Sequence, residues 1–247
     1  MVDNAEEKMK KMILIIWGLM IYLFVILMFQ ECLAGVVIEE VHKDTEGKTS
    51  TVLRYFSENK FRTDHPDSGL ATVIDFKEDR MLMIDHSSNS FVEVKFSEWQ
   101  KEVAKQLKED LPAITPKERK IIVKKAGEKA TINGFQTEKI EIWADGELIE
   151  ENWVTRDVEM KDVEKVMDRV AQGFSKQFRT EMKEGREIYE QLKSYGFPIL
   201  VKDYKLTYGL RPIDVLEVKR LEKRELKDDL FLPPSGYQRI IPKTPKK

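Results

Sequence analysis

Residues Leu70–Phe96 read LATVIDFKEDRMLMIDHSSNSFVEVKF, and the reading of this stretch decides the fold. Three apolar runs, LATVIDF, RMLMID and SFVEVKF, are separated by the turn-forming groups Lys77-Glu78-Asp79 and His86-Ser87-Ser88-Asn89. Turns at such short intervals predict antiparallel hairpins, because a parallel pair needs a crossover of about a dozen residues or more. Upstream, STVLRYFSENKFRTD repeats the arrangement around Ser57-Glu58-Asn59. The first half of the chain is therefore predicted to be a meander.

Further along, Leu200, Tyr204, Leu206 and Tyr208 fall on one strand face, and Val201, Asp203, Lys205 and Thr207 on the other. In EKIEIW, Ile140 and Ile142 alternate with Lys139, Glu141 and Trp143, which predicts a strand with cover on both faces. Glycines 127, 134 and 146 are expected at hairpin turns.

Two helices interrupt the strands. SEWQKEVAKQLKED has Ser97 as its expected N-cap and stacks Trp99, Val103 and Leu107. Pro112 and Pro116 end it. The second runs from about Lys161 to Tyr195, with Val163, Met167, Val170, Phe174, Phe178, Met182, Ile188 and Leu192 at three- and four-residue steps. Gly173 and Gly185 are places where it can bend, and Gly196-Phe197-Pro198 closes it.

The formal net charge is −2, from 42 basic and 44 acidic residues, so no overall field selects nucleic acid. Cys32 is alone and excludes an internal disulfide. His42, His65 and His86 show no metal-hydrolase spacing. Neither a metal nor another cofactor is expected.

Lys8, Lys10 and Lys11 precede the apolar run MILIIWGLMIYLFVILMF, Met12–Phe29, and Cys32 and Ala34 supply small residues before Gly35. This is the layout of a secretory signal. A membrane anchor fits too, since about 18 helical residues cover about 27 Å. Both readings place the chain from Gly35 onward outside the cytoplasm. The expected organisation is residues 1–34 as signal or anchor, 35–241 as one domain with a helical insertion at about 158–195, and 242–247 as a flexible tail.

Chemistry-bearing clusters have simple structural readings. Asp64-His65-Pro66-Asp67 could orient a base, but these residues also form turns. Asp85-His86-Ser87-Ser88 suggests a nucleophile and base, yet no third member and no nucleophile elbow accompany it. Lys117, Arg119, Lys120, Lys124 and Lys125 flank IIV, either as a contact for anionic lipid heads or as the solvated margin of a strand. The stripe of Met167, Phe174, Phe178 and Met182 suits either a lining for acyl chains or a closed core.

YFSENKFRTD, VIDFKEDRMLMIDHSSNSFVEV, INGFQTEKIEIW, ENWVTRD, YGFPIL and the closing LFLPPSGY, in this order, resemble the exported bacterial domain-of-unknown-function family 4412. That family is similar to the superfamily of periplasmic lipoprotein carriers. The resemblance implies an α+β fold: a curved antiparallel sheet, a half-barrel, with helices across its concave face. In the carriers the concavity holds acyl chains. The expected function is non-catalytic binding of a hydrophobic ligand or a lipidated partner, with transient membrane contact compatible with that role. Trp99, Trp143, Phe174 and Phe178 are the expected lining residues. The alternative is an envelope interaction domain without a ligand cavity. The closing LFLPPSGYQRI, Leu230–Ile240, is expected to clasp the half-barrel, its prolines guarding a sheet edge.

Overall fold

The meander is present, and it continues into a much larger sheet. A computed structural model of the chain describes residues 34–110, 119–158, 160–175, 183–204 and 213–241. The apolar run at Met12–Phe29, together with Pro112, Lys117, Phe178, Met182, Leu206 and Tyr208, lies outside the described residues. No described helix is long and apolar enough to cross a membrane.

The described strands are β1 Ala34–Asp44, β2 Thr49–Phe56, β3 Lys60–His65, β4 Leu70–Asp75, β5 Arg80–Asp85 and β6 Ser90–Lys95, then β7 Ile121–Ile132, β8 Phe135–Ala144, β9 Glu147–Thr155, β10 Phe197–Asp203, β11 Ile213–Glu225 and β12 Gln238–Arg239. They form one sheet in the order β12-β6-β5-β4-β3-β2-β1-β11-β10-β9-β8-β7. Neighbours pair antiparallel, except that β12 lies parallel to β6. The sheet is open, with β12 and β7 at its edges, and it is the half-barrel of an α+β fold. Helices α1 Phe96–Asp110, α2 Lys161–Ser175 and α3 Lys183–Leu192 pack on it.

Aspartate chemistry builds the meander's turns. Asp75 Oδ1 accepts hydrogen bonds from the backbone N–H groups of Lys77 and Glu78, and Asp85 Oδ1 from those of Ser87 and Ser88. Each turn then passes through a left-handed residue, Asp79 (φ 48°) or Asn89 (φ 50°), of the types that tolerate it. Asn133-Gly134 and Asp145-Gly146 make the two-residue turns that join β7, β8 and β9. Gly127 differs from expectation: it lies within β7, where the register against β8 shifts between Lys125 and Lys129, and so forms a bulge.

The start of α1 also differs. Asp79, on the β4–β5 turn, receives the Ser97 N–H at 2.9 Å and the Ser97 hydroxyl at 2.7 Å. Ser97 therefore sits inside the first turn, and the aspartate of a neighbouring hairpin supplies the cap. Those bonds hold the Asp79 carboxyl below its usual range.

Alternation sends side chains to two faces. Val36, Ile38, Ile74 and Met81 join Phe96 of α1 and Val163 and Val166 of α2 in the main core. Their neighbours Val37, Val73 and Leu82 point the other way, to a second core closed by Phe231, Leu230 and Tyr237. The closing clasp thus covers a sheet face, and its β12 also lines the β6 edge. The expected single helical stripe divides. Val163 and Val166 enter the main core, whereas Ile188 and Leu192 of α3 cover Ile142 and Ile140 on β8.

Candidate functional site

Thr155 at the end of β9 pairs with Phe197 at the start of β10. The chain between these partners leaves the sheet, builds α2 and α3, and returns. Its return requires Gly196. That residue has φ 140°, and a Cβ there would collide with the backbone oxygen of Thr155. Only glycine lets the turn after α3 press this closely on the end of β9.

Between the two helices and these strand ends lies a cavity of about 410 Å³, within the roughly 300–1,000 Å³ of small-molecule sites. Val163 and Met167 of α2 face Tyr189 and Leu192 of α3, and Met160 and Phe197 line the side nearest the sheet. Arg156, Glu164, Lys193 and Ser194 supply the polar part of the lining. Met167 and Tyr189 keep 37% and 38% of their surface exposed. These two large side chains are therefore uncovered walls, unlike Val166, which is closed into the core.

Charge is unevenly placed around the opening. Burial pushes the Tyr189 hydroxyl up, helped by the Asp168 and Glu164 carboxylates. Lys193 is drawn to Glu190, whose hydrogen bond raises the ammonium's pKa, and its Nζ lies 5.7 Å from the Tyr189 ring centre. The Arg156 Nε donates to the Tyr195 backbone oxygen at 3.1 Å. The Arg156 guanidinium is exposed, and with the Lys125 hydrogen bond ahead of it its charge helps to lower the Glu138 carboxyl.

The four residues expected to line a site are placed differently from one another. Trp99 stacks on Phe96, ring centres 6.1 Å apart, against the main core. Trp143 donates its Nε1–H to Glu141 at 2.9 Å and lies under Lys124, 4.3 Å away, on the β8 face opposite Ile142. Neither lines this cavity. Phe174 belongs to α2, with its side chain outside the described residues, and Phe178 lies outside them entirely. The sequence reading missed Arg156, Met160, Tyr189 and Phe197. Arg156 and Met160 belong to an irregular link with no periodicity to read, and Tyr189 stands one place off the apolar stripe.

The clusters considered for catalysis have other uses. Asp64 takes the Arg62 Nε at 2.7 Å, and Asp67 takes the backbone N–H of Thr51 at 2.7 Å. The Ser87 and Ser88 hydroxyls donate to Asp85 and hold its carboxyl at about 2. His86 turns away from them, its Nδ1 lying 2.8 Å from the Tyr237 hydroxyl. Of the basic cluster, Lys124 faces Glu141, Lys125 faces Glu138, and Arg119 grips Glu184 of α3. No metal-ligand cluster occurs among the described residues.

A family model described as a domain of unknown function, DUF4412, matches residues 36–237. The chain belongs to this family. Solved structures similar to the DUF4412 chain include an uncharacterized conserved protein from Thermus thermophilus, at 11% identity and TM-score 0.40, over 84% of this chain and 90% of that one. Another is a putative outer membrane lipoprotein-sorting protein domain from Vibrio parahaemolyticus, at 9% identity and TM-score 0.29, over 82% and 90%. A third is a LolA superfamily protein from Nitrosomonas europaea, at 8% identity and TM-score 0.28, over 81% and 88%. No curated protein matches the DUF4412 chain. At these TM-scores the likenesses say nothing about a ligand, and the chemistry of the site stands on its own residues.

Proposed function

We propose that this is an exported protein that binds a hydrophobic ligand, or the lipid-modified segment of a partner, in the cavity between α2, α3 and the β9–β10 ends, without catalysis. The observation that carries this reading is the pair of uncovered apolar walls, Met167 and Tyr189, across a cavity of about 410 Å³. A closed core would bury both, and burying such a side chain is worth about 1.5–3 kcal/mol. The flexible thioethers of Met160 and Met167 suit chains of varied shape.

Export is supported by Lys8, Lys10 and Lys11 ahead of the Met12–Phe29 apolar run. Phe174 and Phe178 are kept as proposed lining residues on sequence spacing alone, at four-residue steps beyond Val170. At the Asp85-His86-Ser87-Ser88 turn the two serine hydroxyls donate to the Asp85 carboxylate, while His86 lies against the Tyr237 hydroxyl.

The test is to purify the protein from cells, extract it with organic solvent and examine the extract by mass spectrometry. A stoichiometric lipid is the expected result. Repeated absence of lipid, with no saturable binding of a fluorescent fatty acid, would overturn the reading.

A further inference from the structure

We infer that the cavity buries one acyl chain at a time, to a limit of about 14 methylene groups, and that Met167 on its α2 wall sets that limit. The inference rests on the cavity being a hydrophobic-ligand site and adds the size of what enters it. A methylene group fills about as much space as a water molecule in the liquid, roughly 30 Å³. The cavity of about 410 Å³ therefore holds one chain of medium length, and the paired chains of a bilayer lipid exceed it.

The width is held as well as the volume. Val163 and Val166 fix α2 in the main core. Separate contacts fix α3: Ile188 packs against Ile142, Leu192 against Ile140, and Arg119 grips Glu184 in the first turn. At the end nearest the sheet, the turn at Gly196 is pressed on the Thr155 backbone oxygen. Parting the helices for a second chain draws these apolar side chains out of their clusters, and each one exposed weakens binding about ten-fold or more. Met167 differs. It lines the cavity with 37% of its surface exposed, so its length can change without opening the core.

Displacement of a fluorescent fatty acid from the full chain by the saturated series octanoate to icosanoate, each below its aggregation threshold, tests this. Affinity is expected to rise about four-fold per added methylene. The rise should level off at about 14–16 carbons, with a single chain bound per protein. Met167→Ala removes about three methylene-sized groups from the wall and should move the break to chains about two or three carbons longer. A rise that continues unbroken to icosanoate, or two chains bound per protein, would overturn the single-chain limit and leave the hydrophobic site standing. A break that Met167→Ala leaves in place would overturn the role of Met167. Binding of no member of the series would overturn the limit and the site together.

Discussion

The backbone oxygen of Thr155 occupies the space that a Cβ on Gly196 would need. This relationship joins the end of β9 to the turn after α3 and sets the side of the cavity nearest the sheet. Gly196→Ala adds a methyl group against backbone and holds an L-residue at φ 140°. A loss of about 1–3 kcal/mol or more is expected, measured as a lower urea midpoint. Gly146→Ala serves as the comparison, since a Cβ there meets nothing within 4 Å and carries only the φ 86° strain.

Phe231 is 1% exposed on the face away from the helices, inside the second core. Phe231→Ala should cost about 3–5 kcal/mol, read from denaturant unfolding. Tyr237→Phe removes only the hydrogen bond to His86 and should cost about 0.5–1.5 kcal/mol. A closing segment that merely decorated the sheet would show neither loss.

Glu40 and His65 give the fold an acid-sensitive end. Burial works to raise the Glu40 carboxyl, but its hydrogen bond to His42 and the Arg54 guanidinium outweigh this and leave it lowered. His65 is lowered by burial and by Arg54 and His42. Both groups hold protons less tightly in the folded state, so their contributions are complete above the unfolded values and are lost as pH falls. The loss should begin as pH drops through about 6.5 for His65 and continue below about 4.5 for Glu40. His65→Gln should flatten the upper part of the profile, followed by thermal melts across pH.

Glu150 behaves in the opposite sense. Burial raises its pKa, the Asn152 hydrogen bond works against that, and Asp203 adds to the rise. Its folded pKa exceeds its unfolded one, so stability is fullest at acid pH and declines as pH rises through the folded value. Glu150→Gln keeps an oxygen for the Asn152 amide and removes the buried charge. A higher Tm at neutral pH is expected, with the gain disappearing in acid.

Much of the sheet was legible because alternation and turn chemistry are local. Asp75, Asp79, Asp85 and Asn89 announce their hairpins in sequence, and those hairpins are present. The cap on α1 was not legible, because Asp79 acts from 18 residues away. The division of the helical stripe was equally hidden: spacing shows that Val163 and Leu192 face inward, but only the sheet order shows that they enter different clusters. The cavity was hidden for the same reason. It is closed by Arg156 and Phe197, which are 41 positions apart in sequence and become neighbours only when β9 pairs with β10.

The most direct test of the cavity is a fluorescence titration of a long-chain fatty acid into the protein and into Met167→Trp, which fills the space between α2 and α3. Because Met167 is partly exposed, the variant should keep its urea midpoint within about 0.5 kcal/mol of the parent. Saturable binding by the protein, weakened at least about ten-fold in the variant, is the predicted result. Binding of equal strength in both proteins, or no binding in the parent, would contradict it.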